Sequence, residues 1–180
     1  VHFYHTLTKV TFTFKKKEPA PEELMIEKIQ FQGVGAEGKL TVPSIPTATT
    51  ESGKPAFVWN NITTGTVTSD LVSTPTAQKT VGTVATQIGD TFFMLPAGTF
   101  SGATKMIVTT NHGIREFLLK DIAEAVGSKH SWQSGEHINY NLTMSNEEYT
   151  ITATPLPWEW DENSVNVIFD GQYYLKLSQG

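Results

Sequence analysis

Trp132-Gln-Ser-Gly135-Glu-His-Ile138-Asn-Tyr140-Asn-Leu142-Thr-Met144, followed across a short polar turn (Ser145 to Glu148) by Tyr149-Thr-Ile151-Thr-Ala153-Thr-Pro155-Leu-Pro-Trp158, decides the fold class. Ile138, Tyr140, Leu142 and Met144 fall on one face of an extended strand, and His137, Asn139, Asn141 and Thr143 on the other. Tyr149, Ile151 and Ala153 alternate in the same way with Thr150, Thr152 and Thr154. Side chains on a strand point to opposite faces with period two, so the stretch predicts a hairpin with one buried and one wetted face.

The same rhythm runs outward in both directions. Val10, Phe12 and Phe14 alternate with Thr11 and Thr13 near the start of the chain. Leu24 to Phe31 and Lys39 to Val42 read as strands separated by a turn region at Gly33, Gly35 and Gly38. Ala56 to Asn60, Thr66 to Val72 and Thr91 to Leu95 are further candidates, the last stopped by Pro96 and Gly98. Met106, Val108 and Thr110 alternate with Lys105, Ile107 and Thr109, and a turn at Asn111-His112-Gly113 leads into another extended piece from Ile114. Residues 73–90 lack clear periodicity and read as an exposed excursion. Leu118, Ile122 and Ala125 lie at helical spacing, with Gly127 as a stop, so 116–126 is predicted as the one short helix. Val165, Val167 and Phe169, then Asp170-Gly171, then Tyr173, Leu175 and Leu177 form a second hairpin pattern with a tight primed turn. Many short strands between turns predict an all-β sandwich.

Composition agrees and excludes several functions. The 180 residues suit one domain; 17% are charged, and Thr, Ser, Gly and Asn are abundant, as wetted β faces require. A formal charge of -5 argues against nucleic acid as a partner. The absence of cysteine removes disulfides, thiolate metal sites and cysteine nucleophiles. No apolar run approaches the roughly 20 residues that span a bilayer. The chain opens on Val1 within strand-like sequence, so the expectation is an excised or processed piece whose targeting segment or lipid anchor lies upstream.

No reactive constellation assembles from these residues. His2, His5, His112, His130 and His137 show neither HExxH nor close His-x-His spacing; His5 reads as a core-edge residue and His137 as a solvated one. The acidic pairs Glu22/Glu23, Glu147/Glu148 and Asp161/Glu162 sit in turns, and Asp161-Glu162-Asn163 lacks the spacing of a calcium loop. Gly33-Val-Gly35-Ala-Glu-Gly38 matches a dinucleotide fingerprint only by letters, because no helix follows. The expectation is therefore no enzyme, no metal and no cofactor. Trp158 and Trp160, two apart, are either a stacking platform for a glycan or core plugs beside Pro155 and Pro157. Asn61-Ile-Thr63 and Asn141-Leu-Thr143 match the glycosylation sequon, a frequent coincidence at this Asn and Thr content.

Three stretches together resemble the fimbrillin superfamily of Bacteroidales, the pilins of type V pili and their surface relatives. Phe3-Tyr-His5-Thr-Leu7-Thr-Lys9-Val10 resembles the family's opening strand, and Phe93-Met-Leu95-Pro96 its apolar strand ending in Leu-Pro. Trp132, Gly135, Tyr140 and Leu142, running to Ile151 and Trp158, resemble its Gly, Tyr and Pro-Trp block. The resemblance implies a transthyretin-like antiparallel sandwich over residues 1–180, one domain of a larger two-domain protein. It also implies export as a lipoprotein to the outer membrane surface, and adhesion or fimbrial assembly with other pilin subunits or surface ligands. Membrane contact would come only through an upstream lipid anchor. Assembly by strand addition makes Val165, Val167, Phe169, Tyr173, Leu175 and Leu177 the candidate donor or edge strands, against the alternative that they simply close the sandwich. A glycan-binding surface module using Trp158 and Trp160 is the competing function.

Overall fold

The computed structural model describes residues 5–17, 23–42, 57–124, 131–145, 148–157, 166–169 and 175–178. The strands are β1 (Thr8–Lys16), β2 (Ile26–Thr41), β3 (Val58–Asp70), β4 (Thr86–Gln87), β5 (Phe92–Met94), β6 (Lys105–Thr110), β7 (Gly113–Leu118), β8 (Ala123–Glu124), β9 (His137–Met144), β10 (Tyr149–Leu156), β11 (Asn166–Phe169) and β12 (Leu175–Ser178). A single turn of helix, α1 (Thr76–Lys79), and a 3-10 turn, Leu119–Asp121, complete the described elements.

Two sheets face each other. Sheet I runs β4-β1-β9-β10-β8, with β5 also paired to β1; sheet II runs β3-β2-β6-β7. The deciding hairpin forms as its alternation requires, β9 and β10 pairing antiparallel with Leu142 opposite Ile151. Two pairings are parallel rather than antiparallel: β1 with β9, and the two-residue β8 with β10. A parallel pair needs a long crossover, and here the whole of sheet II intervenes between β1 and β9.

The inner faces supply the core. Val10, Phe12 and Phe14 from β1 and Ile138, Tyr140, Leu142 and Met144 from β9 are buried against Ile29 and Phe31 of β2 and Met106 and Val108 of β6. Phe12 and Phe31 pack across the interface with ring centroids 5.8 Å apart, and Trp132 meets Phe31 edge-on at 5.2 Å. The Trp132 indole N–H donates to the Tyr140 hydroxyl at 3.0 Å, satisfying the two polar atoms that this aromatic cluster encloses.

Four expectations are corrected. First, residues 116–124 form no α-helix: Phe117 and Leu119, two apart, are both buried, and β7 pairs with β6 from Gly113 opposite Thr110 to Leu118 opposite Lys105. The strand partner overrides the helical spacing of Leu118 and Ile122, and the short helix sits at Thr76–Lys79 instead. Second, the Gly33 to Gly38 region is not a turn between strands. β2 runs through it, accommodating register shifts beside Gly33, Gly35 and Glu37. Third, β3 is likewise continuous where two separate strands are predicted, with Asn61 in the left-handed region at φ 52. Fourth, the 73–90 excursion folds back on the body: Val81 and Ile88 are buried, and their amides donate to the carbonyls of Leu24 and Phe12.

Beyond Gln32, β2 leaves β6 and continues with β3 as a two-stranded ribbon. The ribbon lies over Leu95, which stands 3.1 to 3.3 Å from where a Cβ at Gly35 or Gly38 would be. Trp59 ties it to the start of β1 through its indole N–H, which donates to the Thr6 carbonyl at 2.9 Å.

Candidate assembly edges

A β-sandwich offers partners its strand edges and outer faces. The candidate donor strands do pair with each other: Val167 lies opposite Leu177 and Phe169 opposite Leu175. This register differs from the one a two-residue Asp170-Gly171 turn would give, Phe169 opposite Gln172. Among the described residues neither β11 nor β12 joins either main sheet. Val165 and Tyr173 lie outside the described residues, as do Trp158 and Trp160, so the stacking platform is not placed. The two described tryptophans are engaged within the fold, Trp132 in the core and Trp59 on Thr6.

Among the described residues, five strands carry open edges of different character. On one side of the sandwich β7 carries Arg115 and Glu116, while β10 carries Pro155 and is capped over Thr152 and Ala153 by β8. Phe117 and Tyr149 link these two edges, their rings meeting edge-on at 4.8 Å. On the other side β4 and β5 flank β1 with two and three residues, and β3 closes sheet II with thirteen. Charges, proline and brevity all discourage a further strand from adding, so the edges are unequally guarded.

The outer face of sheet I is not simply wetted. His137 and Asn139 are buried, and a chain of side-chain hydrogen bonds crosses three strands. His137 Nε2 sits 2.8 Å from Thr11 Oγ1, whose hydroxyl donates to Asn139 Oδ1 at 2.9 Å. Asn139 Nδ2 donates to Asn141 Oδ1 at 2.8 Å, and Asn141 Nδ2 donates to Thr154 Oγ1 at 2.8 Å. Burial holds the His137 imidazole below its ordinary pKa; the Pro157 carbonyl opposes this and Lys9 reinforces it. The expected solvated histidine is thus a bonded one. The signal for it lies in Thr11 and Asn139 occupying matched positions on strands whose parallel pairing the sequence does not declare.

Polar groups at two turns serve the fold. Asn111 and His112, at the β6–β7 turn, hold the Glu23 carbonyl at 3.0 and 2.8 Å. Glu148 pairs with Lys17, which keeps its carboxyl below the usual range, beside a shallow cleft of about 370 Å³ lined also by Thr143, Tyr149 and Thr150. Among the described residues no three histidines or carboxylates gather around a point that could hold a metal, and no helix is long and apolar enough to cross a membrane.

A family model described as fimbrillin-like matches residues 1–158. No curated protein matches the chain in sequence. Solved structures that it resembles include one assigned to cell adhesion from Bacteroides uniformis (13% identity, TM-score 0.49, covering 87% of this chain and 52% of that one). Another assigned to cell adhesion, from Bacteroides ovatus, is 16% identical with TM-score 0.49 and coverage of 87% and 47%. The tip fimbrial protein Mfa3 from Porphyromonas gingivalis is 11% identical with TM-score 0.49 and coverage of 86% and 52%. The chain spans about half the length of these proteins.

Proposed function

The chain belongs to the fimbrillin-like family, and from that membership we propose that it is a structural or adhesive subunit of a bacterial cell-surface fimbria, exported, and without catalytic activity. The carrying observation is the family match over 158 of 180 residues, on a fold built of two packed β-sheets. Subunits of this kind associate with other subunits rather than transform a substrate, and strand edges are the chemistry available for that.

The finer reading is assembly by strand addition, with the β11–β12 hairpin as donor. Its support is topological: the hairpin hydrogen-bonds only within itself among the described strands, and it lies beyond the family match. An isolated two-stranded hairpin is marginal in water and gains stability by joining a third strand. In an extended strand alternate side chains then enter pockets while the backbone completes a ladder. Deleting residues 164–180 from the full-length protein tests this. Loss of polymerisation with the thermal transition of the sandwich retained is expected; polymers of undiminished length would reject donor status.

A further inference from the structure

The outermost strand of sheet II differs from every other described edge. From Ile62 to Ser69, β3 holds eight consecutive residues with no charge and no proline. Val67 and Ser69 turn inward, Ser69 donating to the Asp90 carboxylate at 2.6 Å, while Thr63, Thr64, Thr66 and Thr68 are exposed. One side of this stretch is fixed to β2; the other meets no strand among the described residues. The left-handed Asn61 ends the stretch, and past it Trp59 anchors the ribbon towards Thr6. A bulge of that kind normally blunts an edge, but past it Thr63 to Ser69 all pair with β2, the skipped residues Gly33 and Ala36 lying on β2 rather than on β3, and the register is unbroken where Ser69, Thr68, Val67 and Thr66 face Ile29, Gln30, Phe31 and Gln32.

We propose that Ile62–Ser69 is a homotypic pairing edge, two copies of the chain adding β3 to β3 antiparallel about a twofold axis, so that two four-stranded sheets become one. The occupant follows from charge and symmetry. Each copy carries a net charge of -5, so copies repel unless they meet through a neutral surface, and this is the long neutral edge. In an antiparallel pair about a twofold, residue i meets j and j meets i, so the strand need only complement itself. Within Ile62–Ser69 every such register sets Thr, Gly, Val, Ile or Ser against the same set, with no like charges opposed. A strand bearing charges would find no countercharge here. Eight residues extend roughly 27 Å, and one edge of that length buries less than the ~1,000 Å² of a stable dimer. The contact is therefore weak between free copies and gains strength where many copies are already aligned, as along a fibre. This inference is independent of the donor hairpin: deletion of 164–180 leaves β3 intact, so either idea can fail alone.

The chain contains no cysteine, which permits a direct test. Thr63→Cys, Thr64→Cys, Thr66→Cys and Thr68→Cys are made singly in the full chain and oxidised mildly at high protein concentration, with exposed Val84→Cys as the collision control. A twofold antiparallel pair gives one position of maximal self-cross-linking, at least fivefold above Val84→Cys, with yields falling on both sides of it. Adding Ile62→Lys and Thr68→Lys to the best cross-linking variant that leaves both sites free should lower its yield at least fivefold without moving the thermal transition. Yields equal at all four positions would indicate parallel stacking and overturn the proposal. So would yields no higher than Val84→Cys, or cross-links that form only with a different pilin subunit.

Discussion

The β9–β10 hairpin and the β2–β3 ribbon are both antiparallel pairs of long strands, yet they are held by different means. β9 lies between two strands, its inner side chains fill the core, and its outer ones form a bonded polar chain with β1 and β10. The β2–β3 pair is core-bound only over its first half; the distal half is a ribbon resting on Leu95 through two glycines, with Val42, Val58 and Ile62 exposed. Tight alternation makes a strand that cannot slip, because a shift of one residue would exchange its two faces. Bulges and glycines make one that can bend, and that presents an edge.

The largest expected effect divides β2 itself. Phe31, on the core-bound half, contacts Phe12, Phe92, Trp132 and Tyr140. Phe31→Ala should cost about 3–5 kcal/mol through lost transfer energy and the cavity it leaves; denaturant unfolding reads this directly. A loss below about 1 kcal/mol would mean that the two sheets are not joined through this ring.

Next is the polar side of β9. Asn139→Ala leaves Thr11 and Asn141 short of partners within a buried chain, a cost of about 1–3 kcal/mol. Asn139→Leu should be no better, since the neighbours keep their polar atoms. An unchanged midpoint in both variants would show that water serves these groups equally well.

The ribbon answers more softly. A Cβ at Gly35 would stand 2.9 Å from Ile62 Cγ2 and 3.2 Å from Leu95 Cβ. The Ile62 methyl can rotate away, whereas Leu95 Cβ is fixed to its backbone, so Gly35→Ala should cost about 1 kcal/mol, partly offset by the lower entropy of the unfolded chain. The change should be seen in amide exchange of residues 34–41 before it is seen in global unfolding. Exchange spread evenly over both sheets would instead make the ribbon part of one cooperative unit.

That contrast also marks how far the sequence could be read. The alternations of Val10, Phe12 and Phe14 and of Ile138 to Met144 declare an all-β sandwich because each of those strands has one apolar side and one polar side. Gly33, Gly35 and Gly38 read as a turn because the signals for a turn and for a bulge are the same residue types. Leu118 and Ile122 suggest a helix for want of any local sign that Thr110 and Gly113 bind residues 113–118 to β6. The burial of His137 depends on the parallel pairing of β1 with β9, which joins residues 128 apart in the chain, such as Lys9 and His137. Edges are a property of the whole sheet, so the exposure of β3 is illegible in its own thirteen residues.

The smallest effect separates the outer face of β9 from everything else by pH. Because the Thr11 hydroxyl donates to Asn139, the neutral His137 ring donates from Nε2, and its bare Nδ1 faces the Pro157 carbonyl at 3.4 Å. Protonation would turn that contact into a hydrogen bond, yet burial and Lys9, opposite on β1, both oppose the charge, and the net shift is downward. A histidine whose folded pKa lies below its unfolded value of about 6.5 takes up protons preferentially when unfolded. Its contribution is complete above about pH 6.5 and is lost as pH falls through that value towards the folded pKa. His5, lowered by burial and by Lys9, adds a slope of the same sign. His137→Gln keeps a donor for Thr11 and removes one titration, so the fall in stability from pH 7 to 5 should become shallower, and the His5→Gln double variant shallower again. A wild-type chain that gains stability from these groups on acidification would show that the Pro157 bond outweighs desolvation, and the end of β10 would then be held more tightly in acid than at neutrality.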